Sequence, residues 1–198
     1  EHEAIVAAAE RWLGDWKSRP AGGFVAALPR DGSARLAIRE KETEQAHICI
    51  SYPAVSLHHP DRYAIDLLSA LLGEGMSSRL FQRIREDLGL AYAVYAYHQF
   101  YRSAGQSGVY IGTQPGTADQ ATDAILAEFR TLATDGLTPT EVDDARRQLK
   151  GQVMLGLESP QSRMNRLATL ALQGEPYRPL DRVLEEIELR ALECVGKS

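Results

Sequence analysis

The sequence predicts an α+β domain, a largely antiparallel sheet with helices packed on one face. Three observations point there. Apolar and polar residues alternate over 46–52, as in a half-buried strand. Two further strand-like runs, 92–101 and 106–114, are separated only by the short segment 102–105, as in a hairpin. Helical stripes come in clusters, two before that hairpin and four after it, not singly between strands as a doubly wound parallel sheet requires.

In chain order, residues 3–16 (EAIVAAAERWLGDW) read as a short helix. Residues 17–33 (KSRPAGGFVAALPRDGS) hold two Pro and three Gly without helical periodicity and read as a linker. The expected organisation is thus a leftover terminal helix (1–16), a linker (17–33) and a main domain (34–198). The chain opens inside a helical pattern, as a fragment or processed product would.

Strand character begins at Ala34. Over 46–52, Ile48, Ile50 and Tyr52 share one face; His47, Cys49 and Ser51 share the other. Pro60 suits the first turn of a helix, in which Ala64, Leu67, Leu68, Leu71 and Leu72 form a core stripe. Gly73-Glu74-Gly75 ends it. A helix over 78–88 should turn Leu80, Phe81, Ile84 and Leu88 inward. In the strand after it, alternation places Tyr92 and His98 with Val94 and Ala96, and Tyr95, Tyr97 and Tyr101 on the opposite face. Pro115-Gly116 closes the hairpin. Thr117 and Gln120 offer a capping box for a helix with core positions Ala121, Ile125, Phe129 and Leu132, ended by Gly136. Thr138-Pro139-Thr140-Glu141 is a stronger start, with Thr as N-cap, Pro at the first helical position and Glu three residues after the cap. Pro160 breaks that helix. Met164, Leu167, Ala168 and Ala171 then continue an apolar stripe, and Leu180, Val183, Leu184 and Ile187 form another.

Composition bounds the function. The 198 residues are 44% hydrophobic and 25% charged, ordinary for a globular domain. A net charge of -5, with arginines scattered among Asp and Glu, argues against nucleic acid as a partner. No apolar run reaches the roughly 20 residues of a membrane span, and the acidic start, Glu1-His2-Glu3, is unlike a signal peptide. The compartment stays open. Two cysteines, Cys49 and Cys194, do not make a disulfide scaffold, and Cys49 reads as a small buried hydrophobe.

Catalytic motifs are missing. A zinc peptidase needs metal ligands on a rigid element and a carboxylate beside them. Neither His-Glu-x-x-His nor His-x-x-Glu-His occurs among the five histidines, His2, His47, His58, His59 and His98. His58 and His59 lack a third ligand at helical spacing. His98 reads as a satisfied, partly buried histidine. There is no Gly-x-Ser-x-Gly elbow, and the glycines near Ser77-Ser78 lack the lysine of a phosphate loop. The chain is therefore expected to hold no catalytic residue, metal or cofactor of its own.

One segment is unusually specific. Residues 71–94, LLGEGMSSRLFQRIREDLGLAYAV, combine a Gly-rich turn, Ser-Ser-Arg-Leu-Phe opening a helix, Ile84-Arg85 near its end and Gly-Leu-Ala-Tyr entering a strand. This resembles the second-domain signature of pitrilysin/insulinase-type zinc metallopeptidases, which include mitochondrial processing peptidases and bacterial relatives. Glu44-Gln45-Ala46-His47-Ile48 and the helix from Thr138 are also similar, so the likeness runs over about residues 42–190. It implies a non-catalytic half that closes a chamber against a zinc-bearing domain or subunit and helps bind peptide substrate, with zinc on that partner. It also implies substrate-contacting roles for Arg85 and Tyr92, seven residues apart. A guanidinium and a phenol can donate to peptide carbonyls as charge develops on them. From the residues alone, Arg85 could instead lay its stem on the core with its head in water, and Tyr92 could be a core aromatic. A structural subunit without proteolysis, or a peptide-binding module acting alone, are the alternative readings.

Overall fold

The computed structural model describes residues 1–17 and 44–195. Except for Lys17, the predicted linker and the strand onset at Ala34 lie outside the described residues. The chain divides into two compact units, Glu1–Gly32 and Ser33–Ser198. In the first, helix α1 (His2–Leu13) buries none of its side chains. Ile5, Leu13, Trp12 and Trp16 are all exposed.

In the second unit the described strands form one antiparallel sheet in the order β1 (Ala46–Ala54), β3 (Gly105–Thr113), β2 (Ala91–Phe100). Pairing from Ala46↔Thr113 to Ala54↔Gly105 sets β1 against β3. Ile48, Ile50, Val94, Ala96, Val109 and Ile111 then join the core, because side chains two apart in a strand share a face. Cys49 lies on the other face, between His47 and Ser51, and is exposed. Its apolar neighbours in sequence, Ile48 and Ile50, point the opposite way, which corrects the expectation of a buried thiol.

Helices α2 (Arg62–Gly73), α3 (Ala118–Asp135), α4 (Pro139–Gly156) and α6 (Leu180–Val195) cover the core side. The fold is the expected one, helices plus a small antiparallel sheet. Leu67, Leu71 and Leu72 of the α2 stripe are buried, as are Val183, Ile187 and Ala191 of α6. At the end of α2, Gly73 meets β2 directly: a Cβ there would stand 2.0 Å from the Ala96 nitrogen.

Two local expectations fail. Thr117 caps α3 without a side-chain hydrogen bond. A 3-10 turn, Pro115–Thr117, carries its hydroxyl to the Gln114 carbonyl (3.1 Å) and to Thr113 Oγ1 (2.8 Å), so no capping box forms. The second failure is α5 (Pro160–Gln173), which buries no residue. Its apolar stripe, Met164, Leu167, Ala168 and Ala171, is exposed, while Ser162, Arg166 and Leu170 are half-buried. Arg166 donates to the Arg178 carbonyl at 2.8 Å.

Candidate functional site

The region carrying the signature is built from two irregularities in sequence. Ser78 opens it, its hydroxyl donating to the Gly75 carbonyl at 2.8 Å; Gly75 itself has φ +98°, a conformation natural to glycine. The expected helix over 78–88 forms, but from Phe81 to Asp87 it is a π-helix. The Leu88 amide accordingly donates to the Arg83 carbonyl (3.2 Å), five residues back, and Leu90 donates to Ile84 (2.9 Å). Leu80 and Ile84 are fully buried and anchor this segment to the core. Full burial of such a side chain is worth roughly 1.5–3 kcal/mol. Phe81 and Leu88 are half-buried beside them. π-Helical turns are rare and concentrate at functional sites.

The second irregularity is a β-bulge. Ala91 pairs with Thr113 and Ala93 with Gly112, leaving Tyr92 without a partner across the ladder. A bulge adds one residue to one strand and re-aims its side chain. Simple alternation would set Tyr92 beside Val94 and Ala96; the bulge instead leaves it 82% exposed. This corrects the core-aromatic alternative. Thr113 holds the strand's start, donating its hydroxyl to the Leu90 carbonyl at 2.6 Å.

Between them these features bring Arg85 and Tyr92 together at the surface. The guanidinium carbon of Arg85 lies 4.7 Å from the Phe81 ring centroid and 5.0 Å from that of Tyr92. Arg85 is 38% exposed, and its only ion pair among the described residues is a 3.8 Å approach to Glu86. The Tyr92 hydroxyl has no hydrogen-bond partner among the described residues. The pair therefore presents a held guanidinium and a free phenol to solvent. Phe81, expected only as a core residue, is also the platform under Arg85.

Another arginine of the same signature is structural. Arg79 Nε and Nη2 grip both oxygens of Glu141 at 2.5 and 2.9 Å, and Nη2 reaches the Gly136 carbonyl at 3.3 Å. Glu141 simultaneously completes the predicted capping box of α4: Thr138 donates to it from its amide (2.9 Å) and hydroxyl (2.7 Å). Arg79 chiefly, with Thr138, holds the Glu141 carboxyl down at about 2 against its usual 4.5. A carboxyl whose pKa falls on folding stabilises the fold above its unfolded value, and that stabilisation is lost on acidification. Unfolding free energy should thus decline as pH drops from 4.5 towards about 2. In Glu141→Gln this slope should flatten, and stability at neutral pH should be about 1–3 kcal/mol lower, as for loss of a charge-assisted hydrogen bond. Denaturant titrations across that range read both.

Three histidines, His58, His59 and His98, lie against carboxylates. His98 Nε2 lies 3.0 Å from Asp66 Oδ1 on α2, and this contact raises the histidine's pKa. It is partly buried, as expected, but its Nδ1 is an unpartnered buried atom. His58 contacts Glu175, and His59 accepts from the Asp61 amide at 3.1 Å. Among the described residues no three His, Cys, Asp or Glu side chains converge to hold a metal. The donor set here does not fit a catalytic zinc. On the face of the sheet away from the helices, Tyr95 and Tyr110 stack at 4.8 Å and His47 hydrogen-bonds Tyr110 at 2.7 Å. Tyr97 lies against Gly108, where a Cβ would come within 2.8 Å of its hydroxyl. Tyr101, just past β2, is exposed. This face is aromatic and is not covered by the helices packed on the core side.

Comparison with known proteins agrees with this architecture. Residues 1–149 match the family described as the peptidase M16 inactive domain. The uncharacterised zinc protease YmxG of Bacillus subtilis is 36% identical over 196 residues, which is 98% of this chain and 47% of YmxG. The chain thus spans about half the length of such relatives. A protease from Helicobacter pylori superposes with a TM-score of 0.80 at 17% identity, covering 100% of this chain and 49% of that one. A peptidase M16 inactive domain from Pseudomonas fluorescens gives 0.65 at 21%, covering 78% of this chain and 38% of that one. At those identities the likeness shows the fold. With the family match over three-quarters of its residues, the chain belongs to the peptidase M16 inactive domain family.

Proposed function

We propose that this chain is the assisting half of a zinc endopeptidase, closing a chamber over peptide substrate and contacting it through Arg85 and Tyr92, with the zinc on a partner domain or subunit. The observation that carries this reading is the outward pairing of those two side chains. A π-turn and a bulge are costly departures from regular structure, and both serve to aim polar groups away from the core. A guanidinium and phenol presented this way can donate to peptide carbonyls, and an opposing wall would complete their site only on closure. The zinc proteases among the relatives and the lack of a metal-holding cluster among the described residues support a division of labour between halves. A partner surface is supported by α5, whose Met164, Leu167 and Leu172 face outward unpartnered among the described residues.

Reconstitution tests the proposal. The chain alone should leave unstructured peptides intact, and addition of the half bearing the zinc motif should restore cleavage. A stable complex that cuts nothing in any combination would replace this reading with a structural subunit. Peptide binding by the isolated chain, indifferent to the partner, would replace it with a binding module.

A further inference from the structure

Helix α5 carries two arginines, Arg163 and Arg166, and no acidic residue, within a chain of net charge -5. Leu157 and Arg166 form the wall shared by two clefts of about 300 and 310 Å³. The first is lined by the guanidinium-bearing residues Arg62, Arg166 and Arg178, by Ser162, and by apolar Leu157 and Leu170 among others.

The three arginines are not equivalent. Arg62 and Arg178 share Glu175, only 5% exposed, at 3.6 and 3.4 Å, and Arg178 also reaches Glu186 at 3.2 Å. Arg166 has none of this. It donates to the Arg178 carbonyl, and its guanidinium carbon stands 5.9 Å from the Tyr177 ring centroid. Among the described residues neither Arg166 nor Arg163 makes an ion pair; Arg163 donates to the Leu157 carbonyl. A backbone carbonyl satisfies part of a guanidinium's five donors and none of its charge. One half-buried positive charge beside an apolar cleft is therefore left uncompensated.

We infer that this cleft binds a carboxylate carried on an apolar chain, the carboxylate paired with Arg166 and the chain lying against Leu157 and Leu170. The planar fork of arginine matches a carboxylate in two parallel hydrogen bonds. A doubly charged phosphate fits less well, since Glu175 and Glu186 already neutralise the neighbouring arginines. The cavity is at the small end of the roughly 300–1,000 Å³ of ligand pockets. Two sources share this chemistry, a fatty acyl carboxylate and the free carboxyl terminus of a peptide ending in an apolar residue. The site requires no zinc-bearing partner, so its fate is separate from that of the peptidase reading.

Isothermal titration of the intact protein tests it, with octanoate against octanol and N-acetyl-leucine against N-acetyl-leucinamide. At least one acid should bind saturably in the low-millimolar range or tighter, and about tenfold more tightly than its neutral counterpart. The tighter acid names the source. Two variants locate the site. Arg166→Gln removes the charge. Ser162→Asp sets a carboxylate into the cleft near the start of α5, where the helix dipole favours it and folding is supported. Each should weaken acid binding about tenfold or more. The inference is overturned if neither acid binds, if the neutral compounds bind equally well, or if a folded Arg166→Gln or Ser162→Asp protein keeps its affinity.

Discussion

Replacing Arg85 with alanine in the reconstituted peptidase is expected to slow turnover by about 2–4 kcal/mol of barrier, the scale for losing one donor to a developing oxyanion. The fold should hardly notice. Arg85 stacks on Phe81 and Tyr92 near solvent and approaches Glu86 at 3.8 Å. Cation–π contacts at exposed sites contribute about 0.5–1 kcal/mol each, and exposed ion pairs typically less than about 1 kcal/mol. A large loss of rate with a small loss of stability is what separates a substrate contact from a packing role. Tyr92→Phe sharpens the test, because it keeps the ring against Arg85 and removes only the hydroxyl. Slow turnover in Tyr92→Phe assigns the hydroxyl to the substrate. A normal rate there, with a slow Tyr92→Ala, makes Tyr92 a positioning residue for Arg85. Unchanged kcat and kcat/KM in both Arg85→Ala and Tyr92→Phe would withdraw the assignment.

A large effect on stability is expected at Gly73. In Gly73→Ala the new methyl would stand 2.0 Å from the Ala96 nitrogen, 2.7 Å from its Cβ and 2.9 Å from its Cα. Backbone cannot rotate away as a flexible side chain can, so α2 and β2 must separate. The core they enclose includes Leu67, Leu72, Val94 and Ile111. Overpacking a core costs about 1–3 kcal/mol and occasionally more. The backbone contact puts Gly73→Ala at or above the top of that range. Ala96→Gly should fail to rescue it, since the closest clash is with main chain. Gly116→Ala is the control, with nothing within 4 Å of its added carbon. Urea unfolding of the three variants decides the matter. A Gly73→Ala protein as stable as the parent would mean that α2 and β2 do not approach so closely.

Much of the fold was legible because its signals are local. The alternation of Ile48, Ile50 and Tyr52, the stripe of α2 and the capping box of Thr138 and Glu141 each depend on a few neighbouring residues. The signature over 71–94 also named Arg85 and Tyr92 before any geometry was known. Among the misses, Cys49 and the stripe of α5 needed the facing of a side chain, which distant packing sets, and Thr117 lost its capping role to the 3-10 turn that ends on it.

The sequence by itself determined the class of fold, the order of its elements and the family, because periodicity, caps and a specific motif are written in consecutive residues. Tertiary structure alone decided what the motif's side chains do. Arg79 finds Glu141 across 62 positions, and a bulge in the pairing with β3 leaves Tyr92 outside the core. Those outcomes rest on hydrogen bonds and charges that meet only after the chain has folded, and no local pattern encodes which partner will be within reach.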